Sequence, residues 1–400
     1  MKSQFHTSNR LTLGDKCGGG LIILAGYSLL QRSNDSAHSF EQEANFWYLT
    51  GITEPDWWVI IDGTANKSWL VAPDVDEIHR IFEGGMSFEE AKKVSGVSTV
   101  IAQKEAEALL RALAKKHSVA YALGEDPHKE FFNFIENPAQ KKLWTVLNRI
   151  FNSTQDCRLE LAKLRAIKQP EEITALRKAI GLTIDAFEAV KEKLPQLVYE
   201  YQVEAEFDYY FKKHGNNHAY EPIVASGKNA CTLHYEDNNS KLKQNNLLLL
   251  DVGARHNGYA ADISRTYSVG NATKRQRAVH EAVERAHHDI ISLLKPNLTV
   301  LEYHEKSDAI LKQALADLDL IKDSDDESYR TYFPHAISHG LGIDTHDSLG
   351  RPEYFMPGMV LTVEPGIYIP KEGIGVRIED DILITKNGNE NLSRRLSTGL

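Results

Sequence analysis

Four consecutive leucines, Leu247 to Leu250, run straight into an acid, Asp251. A run of that length and apolarity reads as a buried strand. A carboxylate at its end costs free energy unless a proton, a hydrogen-bond donor or a cation meets it. Asp262 follows eleven residues later, beyond a turn signal at Gly258-Tyr259. A hairpin of that spacing sets both acids side by side on paired strands, where their repulsion calls for neutralisation. Two turn-capping aspartates would explain the pair as well, because Asp is a frequent turn former.

The same conflict recurs later in the chain. Glu364 interrupts the β-rich run Val360-Leu361-Thr362-Val363, and Glu379 sits between Val376-Arg377-Ile378 and Asp380-Asp381-Ile382. Outward-facing alternation on an exposed sheet would accommodate either acid alone. Four acids in two hairpin-like pairs fit a charged site better, since buried charges are paired or hold metal. His335, His339 and His346 crowd a segment that also carries Gly340, Gly342 and Asp344. One imidazole among four carboxylates makes an oxygen-rich donor set, suited to Mn2+ or related divalent ions and unlike a cysteine-rich zinc site. Two bridging acids would hold two ions about 3.5 Å apart over one water.

The surrounding pattern divides the chain. Short β-branched or aromatic runs at 21–24, 46–49, 58–61 and 69–71 predict strands. Leucine spacing predicts helices over 104–116 and 131–150. That mixture implies a smaller α/β domain over 1–158. Residues 163–169 read as a connector, and Pro170-Glu171-Glu172 as a helix start. Helices over 170–193, 198–214, 274–294 and 299–318, with strands over 247–252, 360–369 and 375–385, make the second domain, 159–400, α+β.

Composition excludes several functions. Forty-six basic side chains against 56 acidic ones leave a formal net charge of −10, which argues against a nucleic-acid partner held by phosphate neutralisation. No stretch of about 18 apolar residues predicts a membrane span, and the run at 21–25 is too short for a signal-peptide core. Cys17, Cys157 and Cys231 form neither a disulfide framework nor a metal knuckle, so a reducing cytoplasm is the expected location. HExxH, GxSxG and GxxxxGK[ST] motifs are missing. Gly18-Gly19-Gly20 precedes a strand run, the reverse of a dinucleotide site. Cys231 near His234 is the one pair for covalent catalysis, and it lacks an orienting third group.

The motifs Asp251-Val-Gly253, Gly258-Tyr259-Ala-Ala-Asp262-Ile-Ser-Arg265-Thr266, His335-Ala-Ile-Ser-His339-Gly-Leu-Gly342-Ile-Asp344-Thr-His346-Asp347, Glu364-Pro365-Gly366 and Arg377-Ile-Glu379-Asp380 occur in this order. Together they resemble the Xaa-Pro aminopeptidases and prolidases, "pita-bread" dinuclear metallopeptidases. Phe46-Trp47-Tyr48-Leu49-Thr50-Gly51 with Glu54-Pro55 is similar to the N-terminal domain of aminopeptidase P. The resemblance implies a C-terminal pita-bread catalytic domain behind an α/β domain of the creatinase and aminopeptidase P type. It implies two divalent ions, Mn2+ foremost with Zn2+ or Co2+ as alternatives, on Asp251, Asp262, His339, Glu364 and Glu379. Asp262 and Glu379 would bridge the ions, and Glu364 would be the acid/base. By the same resemblance His234 and His346 join the catalytic set, while His335, His346, Tyr368 and Arg377 face the substrate, with Arg377 supporting a ligating acid. The activity so implied is removal of an N-terminal residue from peptides with proline second, by a homodimer or homotetramer. Prolidase action on Xaa-Pro dipeptides is the alternative. A metal-free hydrolase of guanidino compounds and an inactive pita-bread binding module are disfavoured by the full ligand set.

Overall fold

A computed structural model describes residues 1–126, 129–322 and 326–400. Two compact units divide it, Met1–Leu164 and Arg165–Leu400. The first is built on a six-stranded sheet in the order Thr99–Ala102, Lys67–Ala72, Trp58–Asp62, Leu21–Ala25, Val119–Ala122, Ser153–Asp156. Its three middle strands pair antiparallel and the outer ones parallel. Leu21, Ile23, Ile60 and Val71 are buried with Leu110, Leu143 and Leu147 from the helices Gln103–Leu113 and Pro138–Ile150.

Three sequence expectations change over residues 44–169. Residues 46–49 lie in a helix, Ala44–Thr50, where a strand was expected. Glu43 accepts a hydrogen bond from Phe46 N at 2.6 Å, and Gly51 ends the turn with φ 69. A short apolar run looks alike in a buried strand and a buried helix, so these two caps settle it. The helix expected over 131–150 is broken in two, Lys129–Phe132 and Pro138–Ile150, because Pro138 starts a first turn capped by Asn137. The expected connector shrinks to 167–169, since Arg158–Ala166 is helical.

The second unit is α+β. The strand Asn246–Val252 lies between Ile223–Ser226 and Ile263–Val269, antiparallel to both. A second ladder joins Val360–Val363, Asp380–Ile384 and Asn389–Asn391, and a hairpin pairs Gly366–Ile369 with Ile374–Arg377. The two long strands expected over 360–369 and 375–385 are therefore four. Each break falls at an acid motif, Glu364-Pro365 or Ile378-Glu379. There the backbone turns to partners outside the ladder, Glu364 N donating to Ile337 O at 3.1 Å and Glu379 N to Ser264 O at 3.0 Å. Proline has no N–H for a ladder, so Pro365 suits such a break.

Helices Lys274–Leu293 and Val300–Asp317 start at Thr273 and Thr299, whose hydroxyls accept from Gln276 N and Glu302 N. Their apolar faces bury Val279, Val283, Ile290, Leu311 and Leu315 together with Leu361, Val363, Ile378 and Ile382. Each such side chain contributes about 1.5–3 kcal/mol of burial free energy. The residues beside the acids are thus the rigid core of the unit.

Candidate metal centre

Asp251 stands opposite Ser264 in the ladder, and Asp262 is two residues before Ser264, on the same face. The hairpin between them turns at Asn257 and Gly258, with φ 49 and 85. Gly253 is required: a Cβ there would lie 1.8 Å from Ala261 O. Tyr220 reaches both acids, its hydroxyl 2.6 Å from Asp251 Oδ1 and 2.6 Å from Asp262 Oδ1. Burial and the facing acids push the phenol pKa well up, so it stays a donor. One hydroxyl carries one proton, and it cannot neutralise two carboxylates.

The remaining acids converge from the broken strands. His339 Nε2 lies 3.4 Å from Asp262 Oδ2 and 3.5 Å from Glu364 Oε1. Its Nδ1 faces Gly340 O at 3.0 Å, which directs Nε2 at the acids. Thr362 ties the neighbours together, accepting from His339 N at 3.2 Å and approaching Glu364 Oε1 at 3.4 Å. Glu379 Oε2 accepts from Ser264 Oγ at 2.7 Å. Ligand-type atoms of Asp262, His339 and Glu379 all lie within 4.8 Å of one another.

The electrostatics favour a cation here. Burial, followed by the fields of Asp262, Glu364 and Asp251, holds the Glu379 carboxyl well above its usual range. Burial also raises Asp262 to about 6, against the His339 hydrogen bond. On His339 burial works against the charge, but the Asp262 hydrogen bond and Glu364 outweigh it and push the imidazole up to about 9. On Glu364 burial is likewise outweighed, by His335, His339 and Arg377, and its pKa falls to about 2. Protons are therefore held where acids crowd. A divalent ion relieves the same repulsion, and oxygen donors with one imidazole suit it. The residues present fit such an ion.

Arg377 braces the cluster. Its Nη2 donates to Asp251 Oδ2 at 2.6 Å, Nη1 to Tyr368 Oη at 2.9 Å and Nε to Ser264 Oγ at 2.9 Å. Tyr368 lies 2.8 Å from His335 Nε2, and His335 Nδ1 lies 3.4 Å from Glu364 Oε2. Arg377 is 4% and Tyr368 2% exposed, so both are occupied within the protein. Arg377 thus supports the acid Asp251, and Tyr368 links Arg377 to His335. His346 packs edge-on against His339 with ring centroids 4.3 Å apart. Burial, then the charge of His339, lowers its pKa to about 4. His234 is exposed on a turn, and its charge is one of those acting on His346.

Three residues escaped the sequence reading. Tyr220 lies outside every motif, and nothing local marks it. Ser264 stood inside a recognised motif without a role. Asp381 was discoverable, because the buried-acid argument for Glu379 applies to it equally. It is fully buried, accepts from Asp262 N at 3.3 Å through Oδ2, and leaves Oδ1 without a hydrogen bond.

Comparison with known proteins agrees with this geometry. Residues 174–386 match metallopeptidase family M24, and residues 6–121 match the aminopeptidase P N-terminal domain. The Xaa-Pro aminopeptidase of Escherichia coli K12 is 36% identical, covering 98% of this chain and 94% of that protein. The low-pH form of aminopeptidase P from E. coli superposes with a TM-score of 0.89 at 31% identity, over 100% of this chain and 96% of that one. The zinc-substituted E. coli enzyme in complex with product gives 0.87 at 32%, with 100% and 96% covered. The chain is a member of metallopeptidase family M24 and belongs, within it, to the Xaa-Pro aminopeptidases.

Proposed function

We propose that this protein is a metal-dependent aminopeptidase that removes the N-terminal residue from peptides with proline second. The observation that carries the reading is the convergence of Asp262, His339 and Glu379 on one space, with Asp251 and Glu364 at its edge. Asp251, Asp262, His339, Glu364 and Glu379 would hold two divalent ions, Mn2+ foremost. The zinc-substituted relative supports a divalent ion of this kind. When bound, such ions acidify water and polarise a carbonyl oxygen.

The chain's own groups supply the rest. Glu364, held ionised, accepts the proton of the attacking water at a carboxylate oxygen and returns it to the leaving nitrogen. His234 donates a hydrogen bond to the developing oxyanion or passes its proton on. His346, kept neutral by burial and by His339, walls the site for the second residue, and His335 orients Glu364 through Nδ1. Three free cysteines suit a reducing compartment. Exposed Ile81, Phe82, Phe131 and Ile135 in the first unit support a homodimer or homotetramer.

The test is turnover by metal-stripped protein, with and without Mn2+, of Xaa-Pro-Yaa tripeptides, Xaa-Ala-Yaa tripeptides and Xaa-Pro dipeptides. Mn2+-dependent cleavage of Xaa-Pro-Yaa is the expected result. Cleavage of dipeptides alone would make the protein a prolidase, and equal cleavage of Xaa-Ala-Yaa would remove the proline assignment.

A further inference from the structure

The helix Glu200–Lys213 opens on a carboxylate that is 0% exposed. Glu200 makes no ion pair among the described residues, and five neutral donors surround it. Oε1 accepts from Ser226 N and Ser226 Oγ, both at 2.7 Å, and from Asn229 Nδ2 at 3.1 Å. Oε2 accepts from Ser240 N at 2.8 Å and Tyr235 Oη at 2.9 Å. Hydrogen bonds of this number compensate an ionised carboxylate for lost water. The first turn of a helix favours the same charge.

These donors share one loop. Residues 226–240 fold around Glu200, and His234 lies within that span, next to Tyr235. The loop is pinned further by Glu200 N donating to Ser240 O at 3.0 Å and Asn229 Nδ2 to Ser240 Oγ at 2.9 Å. One turn along the helix, Glu204 Oε2 accepts from Asn238 Nδ2 at 3.0 Å, while Asn238 Oδ1 accepts from Val224 N at 2.9 Å. On its other side the loop meets the hairpin that carries Tyr368 and Arg377, with Cys231 Sγ 3.3 Å from Ile374 O. A Cβ at Gly375 would lie 2.3 Å from Ala230 O, so the two backbones are as close as glycine permits. An exposed histidine on a turn would ordinarily sample many positions. This one hangs from a framework fastened before and after it.

We infer that Glu200 is a positioning residue for His234, gathering both sides of its loop on one buried carboxylate so that the imidazole is held at the reacting centre. The inference rests on the role proposed above for His234. Glutamine cannot replace Glu200, because its amide NH2 would meet N–H and O–H donors where a carboxylate presents only acceptors.

The experiment measures kcat, KM and bound metal for the Mn2+-loaded full chain on an Xaa-Pro-Yaa tripeptide, in Glu200→Gln, His234→Ala and the double variant. Misplacing a proton-transfer group by about 1 Å costs on the order of 10²-fold, so Glu200→Gln should lose about that much kcat with KM and metal content kept. In the double variant the second change should cost nothing beyond His234→Ala alone, since the group being positioned is already gone. Tyr235→Phe removes one donor and should lower kcat less, again only while His234 is present. This variant decides the matter if Glu200→Gln fails to fold. Losses that multiply in the double variant, or wild-type kcat in both Glu200→Gln and Tyr235→Phe, would overturn the inference and leave His234 standing. Wild-type kcat in His234→Ala would instead remove the reading beneath it.

Discussion

At the scale of single residues, the centre is a contest between protons and cations for the same oxygens. Asp262 is its pivot, because its carboxylate faces Tyr220 and His339 while its backbone N–H donates to Asp381. Asp262→Asn keeps the shape and removes a charge that would hold the ions under the proposed assignment. Bound metal and turnover should fall together, by about 10³-fold or more in kcat given the size of a lost catalytic ion. Metal analysis with steady-state kinetics checks this, and an Asn variant with full metal and full rate would refute the assignment. His346 makes a different prediction. It touches the His339 ring but ligates nothing in the proposed scheme, so His346→Ala should keep its metal. The expected change is a weaker preference for Xaa-Pro-Yaa over Xaa-Ala-Yaa, on the order of tenfold, the worth of a modest apolar wall. Lost metal in that variant would make His346 part of the ion site.

At the scale of elements, the short caps decide more than the apolar patterns do. Gly51 ends the helix Ala44–Thr50 at φ 69, and a Cβ there would meet His6 Nε2 at 2.5 Å. Gly51→Ala should therefore destabilise the protein by about 1–3 kcal/mol or more, from a strained backbone and a clash together. Thermal denaturation checks it, and an unchanged midpoint would mean that the caps do not hold this helix. The apolar residues of this helix explain why it was not legible. Phe46, Tyr48 and Leu49 are all fully buried, so no polar face breaks the run into a recognisable period. Long elements with one wet face were legible nearly to the residue: the expected 170–193 is the helix Pro170–Lys193. In the candidate centre, the acids declared themselves because each contradicts its apolar neighbours. Tyr220 did not, because a tyrosine in a mixed segment contradicts nothing, and its importance exists only after folding brings it to Asp251 and Asp262.

At the scale of the whole molecule, each unit buries a histidine that folding keeps neutral. His6, in the first unit, is 2% exposed. Burial lowers its pKa from 6.5 to about 4, against the hydrogen bond it makes to Tyr48 O at 3.1 Å. His287, in the second, is lowered to about 4 by burial, against the pull of Asp380. In the unfolded chain both imidazoles titrate near the ordinary 6.5. Between pH 6.5 and 4 the unfolded state therefore binds more protons than the folded one, and stability rises with pH across that window. The contribution is complete above pH 6.5 and is lost as pH falls toward 4, at about 3 kcal/mol for each histidine. Chelator-treated protein isolates this effect from the loss of ions at the carboxylate centre. Urea unfolding at pH 7 and at pH 4.5 should show a steep loss for the wild type and a shallower one for His6→Gln, in which an amide N–H stands in for the ring donor and does not titrate. If both proteins lose the same stability over that interval, His6 is not the group that senses acid; nor are Asp262 and Glu379, whose raised pKa values mean that protonation favours the folded state.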